Sequence, residues 1–404
     1  MDVNKQLCEA VRSLNLPEVE RLLALPGINV NNACNGRSIL YAALQSFGIR
    51  RNSVEIFNRL LQVPGIDVNQ SIELETPLTT LTGMMSEYGS YPPDRDDIIQ
   101  SMAIALLNHP NIDLNKESAR GTQGNTAFLR AVYNGYTDIV RRLLETYHEI
   151  TMETKSSALC SIVGGSGRRK DTVKLLLRIP DININSECLI SAAIYPDSSY
   201  LEMLLNRPGL NVNVKSPAHD GRTLLMLAHR LPSLELLLNY DDKIIDVNQV
   251  NDNGDSVIID TINFIFEYRR HADIYNRAMD KLERLLEHPD IDLNIQNLQG
   301  NTALMVAIKR GRREIVQLLL DAGVNLDIRN NEGKRAEDIA IEKGFLNIAR
   351  MIQQKYTDNA WRRRRSAVIA YTEAHPPGVN QNGGRVYVKT QRRRRHGKTR
   401  KHRK

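Results

Sequence analysis

The chain has 404 residues, of which 41% are hydrophobic, so it is long enough to bury a large and mainly aliphatic core. Its net charge of +7 conceals a split: residues 361–404 hold 15 Lys and Arg and one acid, whereas residues 1–360 hold 39 basic and 46 acidic groups. No basic segment followed by an apolar run opens the chain, and no window offers the ~20 apolar residues that span a bilayer. We therefore expect a soluble intracellular protein with an acidic body and a basic tail.

Cysteine is scarce in the chain. Cys8, Cys34, Cys160 and Cys188 form no Cys-x-x-Cys pair. This usage predicts free thiols in a reducing compartment.

A six-residue phrase recurs along the chain. It reads PGINVN at 26–31 and PGIDVN at 64–69. Altered copies lie at 110–115, 180–185, 208–213 and 289–294, and shorter remnants end at Asn248 and Asp327. The spacing indicates a structural unit of about 35 residues with insertions.

Each phrase follows an apolar run with helical spacing, such as SVEIFNRLL at 53–61 before PGIDVN, and a similar run, TDIVRRLL, lies at 137–144. Pro stops that helix, and the Gly of the phrase can adopt the left-handed conformation that the chain reversal needs. The remaining residues of the phrase alternate between apolar and polar, which is typical of a short extended arm. We predict that the two aliphatic residues of the phrase point into the core, whereas its Asp and Asn face water.

A second signal precedes these helices: Gly, any residue, then Thr or Ser. It occurs at 36–38, 124–126, 221–223, 254–256 and 300–302, and the Thr or Ser is predicted to cap a first helix. One unit is therefore a turn, a first helix, a loop, a second helix and an arm.

At this point the sequence resembles the ankyrin repeat family. GNTALMVAIKRGRREIVQLLLDAGVNLD at 300–327 is the copy most similar to the family pattern, and GNTAFLRAVYNGYTDIVRRLL at 124–144 is the next. The family's opening T-P-L-H is kept only in part, at Thr76, Pro77 and Leu78. The irregular, expanded array is similar to ankyrin arrays of large DNA viruses and some protists.

The resemblance covers about residues 1–355. It implies an all-α helical solenoid of about ten repeats with short hairpin arms, forming an ankyrin repeat domain over 1–360. It also implies a long concave surface, formed by arm tips and first helices, that binds an unknown protein partner. The candidate contacts on that surface are Arg120, Gln123, Asn125, Tyr133, Asn134, Asp252, Asn253, Gln299, Asn301, Lys309, Arg310, Asn330 and Asn331.

The segment 361–404 is expected to be a largely disordered basic tail, because it is rich in like charges and poor in apolar residues. Its two basic clusters comprise Arg362, Arg363, Arg364, Arg365, Arg392, Arg393, Arg394, Arg395, Lys398, Arg400, Lys401, Arg403 and Lys404. Such clusters favour a signal read by a nuclear import receptor, or electrostatic binding to nucleic acid.

The sequence predicts no catalytic residues, no cofactor and no metal site. It contains no His-Glu-x-x-His and no Gly-x-Ser-x-Gly, and GGSGRRKDT at 164–172 lacks the spacing of a phosphate loop. The function expected is a monomeric, non-catalytic scaffold or adaptor whose tail directs it to the nucleus, with no membrane contact. The alternatives are a nucleic-acid-associated protein and a substrate adaptor for ubiquitin ligation. For the latter, residues 361–404 lack the F-box-like helical segment that often ends such adaptors.

Overall fold

Successive helix pairs account for most of the residues that the structure describes. In a computed structural model, the described residues are 3–32, 34, 38–45, 51–84, 94–118, 121–164, 169–240 and 245–358. The predicted tail therefore lies outside the described residues. Within them, strand is confined to two antiparallel hairpins of two-residue strands, and the remainder is helices, turns and short arms.

Ten helix pairs follow one another in these ranges. The first helices of the pairs are α1 (Val3–Arg12), α3 (Ile39–Gln45), α5 (Pro77–Gly83), α7 (Gln123–Asn134), α9 (Met152–Ile162), α11 (Ser186–Ile194), α13 (Leu224–Leu227), α15 (Val257–Glu267), α17 (Ala303–Lys309) and α19 (Ala336–Glu342). The second helices are α2 (Leu16–Leu23), α4 (Arg51–Leu61), α6 (Arg95–Leu107), α8 (Thr137–Thr146), α10 (Lys170–Leu177), α12 (Ser199–Leu205), α14 (Leu231–Leu238), α16 (Ala272–Leu286), α18 (Arg313–Asp321) and α20 (346–358). The hairpins join β1 (Glu117–Ser118) to β2 (Gly121–Thr122) and β3 (Lys215–Ser216) to β4 (Arg222–Thr223).

The pairs stack so that like helices meet. First helices pack on first helices of the next pair, as α5 does on α7 and α15 on α17, and second helices pack on second helices, as α6 does on α8. The core is therefore a continuous two-layered ribbon, as the repeat pattern predicts. Among the described residues, no helix combines the length and the apolar character needed to cross a membrane.

The core is aliphatic along its whole length. On α8, Ile139, Val140 and Leu143 are fully buried at the helical spacing seen in the sequence. Burial of one such side chain contributes on the order of 1.5–3 kcal/mol. A few large aromatic side chains are also fully buried, among them Phe57 and Phe128.

The recurring phrase forms a turn within each arm. The Asp or Asn at its fourth position accepts a hydrogen bond from the backbone N–H two residues later, as Asp67 Oδ1 does from Asn69 N at 2.9 Å. The same turn recurs in six further arms, with distances of 2.8–3.1 Å. A short polar side chain at this position thus replaces a backbone partner that the arm lacks.

The last Asn of the phrase bonds to the following arm. Asn69 Nδ2 donates to Asn111 O at 2.6 Å, and Asn69 Oδ1 accepts from Asp113 N at 2.9 Å. Asn31 and Asn248 make the same two bonds, all at 2.8 Å. Asn213 and Asn294 make the accepting bond, at 2.7 and 2.8 Å. We term this set of bonds the asparagine ladder.

The prediction that the Asn of the phrase simply faces water is therefore wrong at these five arms. An amide carries both a donor and an acceptor, so one side chain can satisfy a carbonyl and an N–H of the neighbouring unit at once. Two arms depart from the ladder. The Asn115 side chain makes no such bond within the described residues, and Asn185 Oδ1 accepts instead from Cys188 N, which caps α11.

Thr or Ser caps several first helices, as the sequence predicts. Thr223, Ser256 and Thr302 each accept a bond from the backbone N–H three residues later. The prediction is wrong for Thr126, because α7 begins three residues earlier and Thr122 caps it. Thr126 is buried inside the helix, with its hydroxyl 2.6 Å from that of Ser118.

Two of the four cysteines are not free thiols. Cys8 on α1 and Cys34, which follows the first arm in the sequence, are joined in a disulfide, with their Cα atoms 5.3 Å apart. The expectation of free thiols is wrong for this pair, because the fold brings residues 26 positions apart into contact. Cys160 and Cys188 remain thiols.

Replacing Asn248 with Ala tests the asparagine ladder. This variant should lower the free energy of unfolding by about 1–2 kcal/mol, because it removes two hydrogen bonds between units. Urea unfolding followed by circular dichroism measures the loss. Asn115→Ala is the matched control and should change stability by less than about 0.5 kcal/mol. Equal losses for the two variants would show that the ladder does not hold the units together.

Candidate partner-binding surface

Three successive turns, termed the fingers, precede α15, α17 and α19. They comprise residues 251–255, 297–301 and 330–334. Each finger begins with an Asn whose Oδ1 accepts two backbone N–H groups at 2.9–3.1 Å. Each has Gly at its fourth position with φ of 71–72°, which other residues rarely adopt. The local sequence thus fixes one turn geometry three times.

Backbone hydrogen bonds link the fingers to one another. Leu298 N donates to Asn253 O at 3.1 Å, and Asn331 N donates to Gln299 O at 3.3 Å. The approach is so close that a Cβ at Gly300 would lie 2.6 Å from Asn331 N. The fingers therefore form one continuous and well-braced edge of the array.

Four predicted contacts lie exposed on the fingers. They are Asp252, Asn253, Gln299 and Asn331. Leu298 lies next to Gln299 on the second finger. It is 66% exposed, more than any other large hydrophobic residue that the structure describes. Leu298 was not among the contacts predicted from the sequence, although an apolar residue within the polar stretch QNLQGN could have indicated an exposed contact there.

Three predicted contacts are buried instead. Gln123, Asn301 and Asn330 are 0%, 5% and 6% exposed. Gln123 Nε2 donates to Asp113 O at 2.8 Å, and Asn330 Nδ2 donates to Asn301 Oδ1 at 3.2 Å. These amides hold neighbouring segments together, so in this structure they are part of the framework beneath the surface.

The predicted contacts on α7 belong to a second location. Asn125 and Asn134 are half-buried, and Asn134 Nδ2 donates to Thr82 O of the preceding unit at 2.8 Å. Tyr133 is 45% exposed and lines a cavity of about 770 Å³ together with Leu129. The guanidinium of Arg169 lies 4.5 Å from the ring centre of Tyr133. Arg120, the remaining contact predicted near this location, is outside the described residues.

Lys309 and Arg310 are exposed at the end of α17. Lys309 Nζ donates to Asn301 Oδ1 at 2.9 Å, and Arg310 donates to Asn263 Oδ1 on α15 at 3.1 Å. The structure therefore brings the predicted residues of the last three units together and leaves those of α7 on a separate unit, four pairs earlier in the array.

Four rings that the sequence did not suggest as a group lie side by side. His229 and Phe264 stack with ring centres 4.1 Å apart, and Phe264 is followed by Tyr268 at 4.5 Å. His271 lies 6.3 Å beyond Tyr268. Phe264 and Tyr268 lie one turn apart on and just after α15, whereas His229 comes from the previous unit, so only the stacking of units assembles the group.

A buried ammonium group compensates for an unusually short helix beside these rings. Helix α13 has only four residues, so its last carbonyls lack helical partners. Lys281 Nζ of α16 donates to Leu225 O and Met226 O, both at 2.8 Å. Burial lowers the pKa of Lys281 to about 8, against the opposing effect of Asp260.

The same neighbourhood is electropositive. Burial, together with the positive charges of Lys281, Arg222 and Arg277, lowers the pKa of His229 to about 3. Two buried carboxylates lie nearby among the described residues, and both have partners: Asp260 is 2.8 Å from Arg222 Nε, and Asp255 accepts hydrogen bonds from Asn263 and Asn297. His229 is therefore neutral at physiological pH. The surrounding positive charge favours the binding of a negatively charged group.

Lys281 makes stability depend on pH in a defined direction. Its pKa is about 8 in the fold and 10.5 as a free side chain, so the unfolded chain binds more protons between these values. Stability should therefore rise with pH through this interval. The unfolding free energy of the parent chain minus that of its Lys281→Met variant should therefore increase by roughly 1–3 kcal/mol from pH 8 to 10.

Urea unfolding at the two pH values measures this difference. Lys174→Met is the control, because Lys174 is an exposed lysine on α10. The interpretation fails if the Lys281 difference is constant with pH or if it falls.

The arrangement is suited to binding. In the part of the chain that the structure describes, no group of three or more His, Cys, Asp or Glu side chains is placed to hold a metal ion. The fingers present exposed polar side chains and the exposed Leu298 on a backbone fixed by hydrogen bonds. The stacked rings of His229, Phe264 and Tyr268 lie with the positive charges of Arg222 and Arg277. Both basic clusters of the tail lie outside the described residues.

Comparison with known families agrees with the geometry. Residues 271–360 match the family model of ankyrin repeats, in three copies. The match covers α16 to α20 and two of the three fingers. The number of repeats in the rest of the array, about ten in total, stays a prediction. No curated protein matches the chain.

Proposed function

We propose that this chain, which is a member of the ankyrin repeat family, is a non-catalytic scaffold or adaptor that binds a protein partner through the fingers and the adjoining first helices. Ankyrin repeats generally serve as protein–protein interaction modules without catalytic activity. The observation that carries the proposal is the finger edge, where exposed polar tips surround Leu298 on a backbone that is already fixed by hydrogen bonds. A preformed edge loses little conformational entropy when a partner binds.

Leu298 provides the test of the finger edge. Leu298→Ser should reduce crosslinking of the full-length protein to its main partner in the native cell by about fivefold or more, because an exposed apolar anchor contributes strongly to an interface. Crosslinking combined with mass spectrometry measures partner recovery and the crosslinked residues. Stability should change by less than about 0.5 kcal/mol, since the side chain packs on little.

Leu346→Ser is the matched control. Leu346 is 57% exposed on α20 of the other helix layer, away from the fingers. The proposal is contradicted if both variants reduce recovery equally, or if the crosslinks avoid the fingers and the first helices altogether.

The basic tail is proposed to direct the protein to the nucleus. The support is compositional: 392–404 contains nine Lys and Arg in 13 residues. Removal of 385–404 should move a fluorescently tagged protein from nucleus to cytoplasm, because it deletes the larger basic cluster, and microscopy measures the ratio. An unchanged distribution would exclude the import role.

The same cluster favours a second candidate, in which the tail binds nucleic acid. This alternative predicts duplex DNA binding that weakens steeply with salt and is lost from a chain that ends at residue 360. Tight DNA binding by that shortened, acidic chain would contradict it.

A further inference from the structure

The surface around the carboxy-terminal end of α15 is dense in arginine. The guanidinium carbons of Arg269 and Arg310 both lie 4.4 Å from the ring centre of Phe266, and that of Arg312 lies 5.6 Å from it. Arg269 follows α15, whereas Arg310 and Arg312 come from the loop of the next unit. Three positive charges thus converge on one half-buried ring.

These arginines have no acidic partner within the described residues. Arg269 donates to Phe266 O and Arg310 to the amide of Asn263, and both acceptors are uncharged. The contrast with Arg284 is informative, because its guanidinium grips both carboxylate oxygens of Glu235, at 2.6 and 3.2 Å. The fold therefore pairs arginine with carboxylate elsewhere but leaves this cluster open.

Basic side chains also lie on the other side of α15. A cavity of about 410 Å³ lies where the seventh and eighth helix pairs meet, and its lining includes Arg230, Arg277, Phe264 and Tyr268. Arg230 forms no ion pair among the described residues, and Arg277 donates to the backbone oxygen of Asp273. Aromatic rings therefore form the centre of this surface, and arginines flank it on both sides.

We propose that this arginine–aromatic face, comprising Arg230, Phe264, Phe266, Tyr268, Arg310 and Arg312, binds an acidic peptide segment of a protein partner. Planar guanidinium groups match carboxylates with two parallel hydrogen bonds, and the cavity accepts an aromatic or aliphatic side chain from the same segment. The inference rests on the proposed scaffold function and adds the chemistry of the partner.

The charge distribution favours a peptide over the other anionic or internal occupants. The chain's own tail is strongly basic, so this face repels it. Residues 1–360 are net acidic and therefore oppose a long polyanion such as duplex DNA, whereas a short acidic segment needs only the local basic face. A second copy of the chain would show itself as a dimer in light scattering.

Charge reversal on the full-length protein tests the face. The probes are a short fluorescein-labelled peptide of Glu and Phe, its counterpart with Gln in place of Glu, and a duplex DNA oligonucleotide. The double variant Arg310→Glu, Arg312→Glu should raise the Kd for the acidic peptide by about tenfold or more, measured by fluorescence anisotropy. The Gln peptide should bind weakly to every variant.

Two further variants separate the face from general charge and from misfolding. Arg178→Glu with Arg350→Glu makes the same charge change at exposed sites on α10's end and α20, and should leave the Kd within about twofold. Arg310→Lys with Arg312→Lys keeps the charge but loses the planar fork, and should give an intermediate Kd. Circular dichroism and urea midpoints must match the parent chain.

Several outcomes would overturn the inference. They are no binding of the acidic peptide, equal loss in the reversal and control variants, dimerisation through the face, or a loss for DNA without a loss for the peptide. Crosslinks to a native partner at the fingers that survive Arg310→Glu, Arg312→Glu would overturn only this inference and leave the scaffold function standing. Absence of crosslinks anywhere on the fingers and first helices would contradict the scaffold function itself.

Discussion

The asparagine ladder is the interaction on which the array depends. Each helix pair has an apolar face that only a neighbour can bury, and apolar packing by itself does not fix the angle or the register between neighbours. The amide of Asn69 or Asn248 fixes both, since it bonds at once to a carbonyl and to an N–H of the next arm. The ladder is interrupted at Asn115, which is followed by an arm without the phrase, and at Asn185, whose amide caps α11 instead.

The asparagine ladder also positions the fingers relative to one another. Once consecutive arms are in register, the turns at 251–255, 297–301 and 330–334 come close enough for direct backbone bonds, and glycine is required where they meet. Rigid turns then expose side chains whose positions are set before any partner arrives. Buried amides such as Asn330 belong to this support, whereas exposed residues such as Leu298 are free to make new contacts.

The short helix α13 of the seventh unit is linked to the positive charge at the surface of the seventh and eighth units. A four-residue α13 leaves carbonyls that a buried Lys281 satisfies, and this ammonium adds to the positive charge of Arg222 and Arg277 around His229. The stacked rings of His229, Phe264 and Tyr268 lie at the same place. One departure from the regular repeat therefore produces a chemically distinct surface within an acidic array.

The sequence by itself determined the repeated unit, the all-helical class, the caps of α13, α15 and α17 and the aliphatic core, because each follows from local spacing and from residues such as Thr302 that act within one turn. Only the tertiary structure decided which polar residues are exposed. Gln123 and Leu298 reverse the usual burial of their residue types, since a buried amide pairs with the neighbouring unit and a finger tip has no neighbour to cover it. The Cys8–Cys34 disulfide and the arginines around Phe266 likewise join residues from different units, and local pattern carries no information about such contacts.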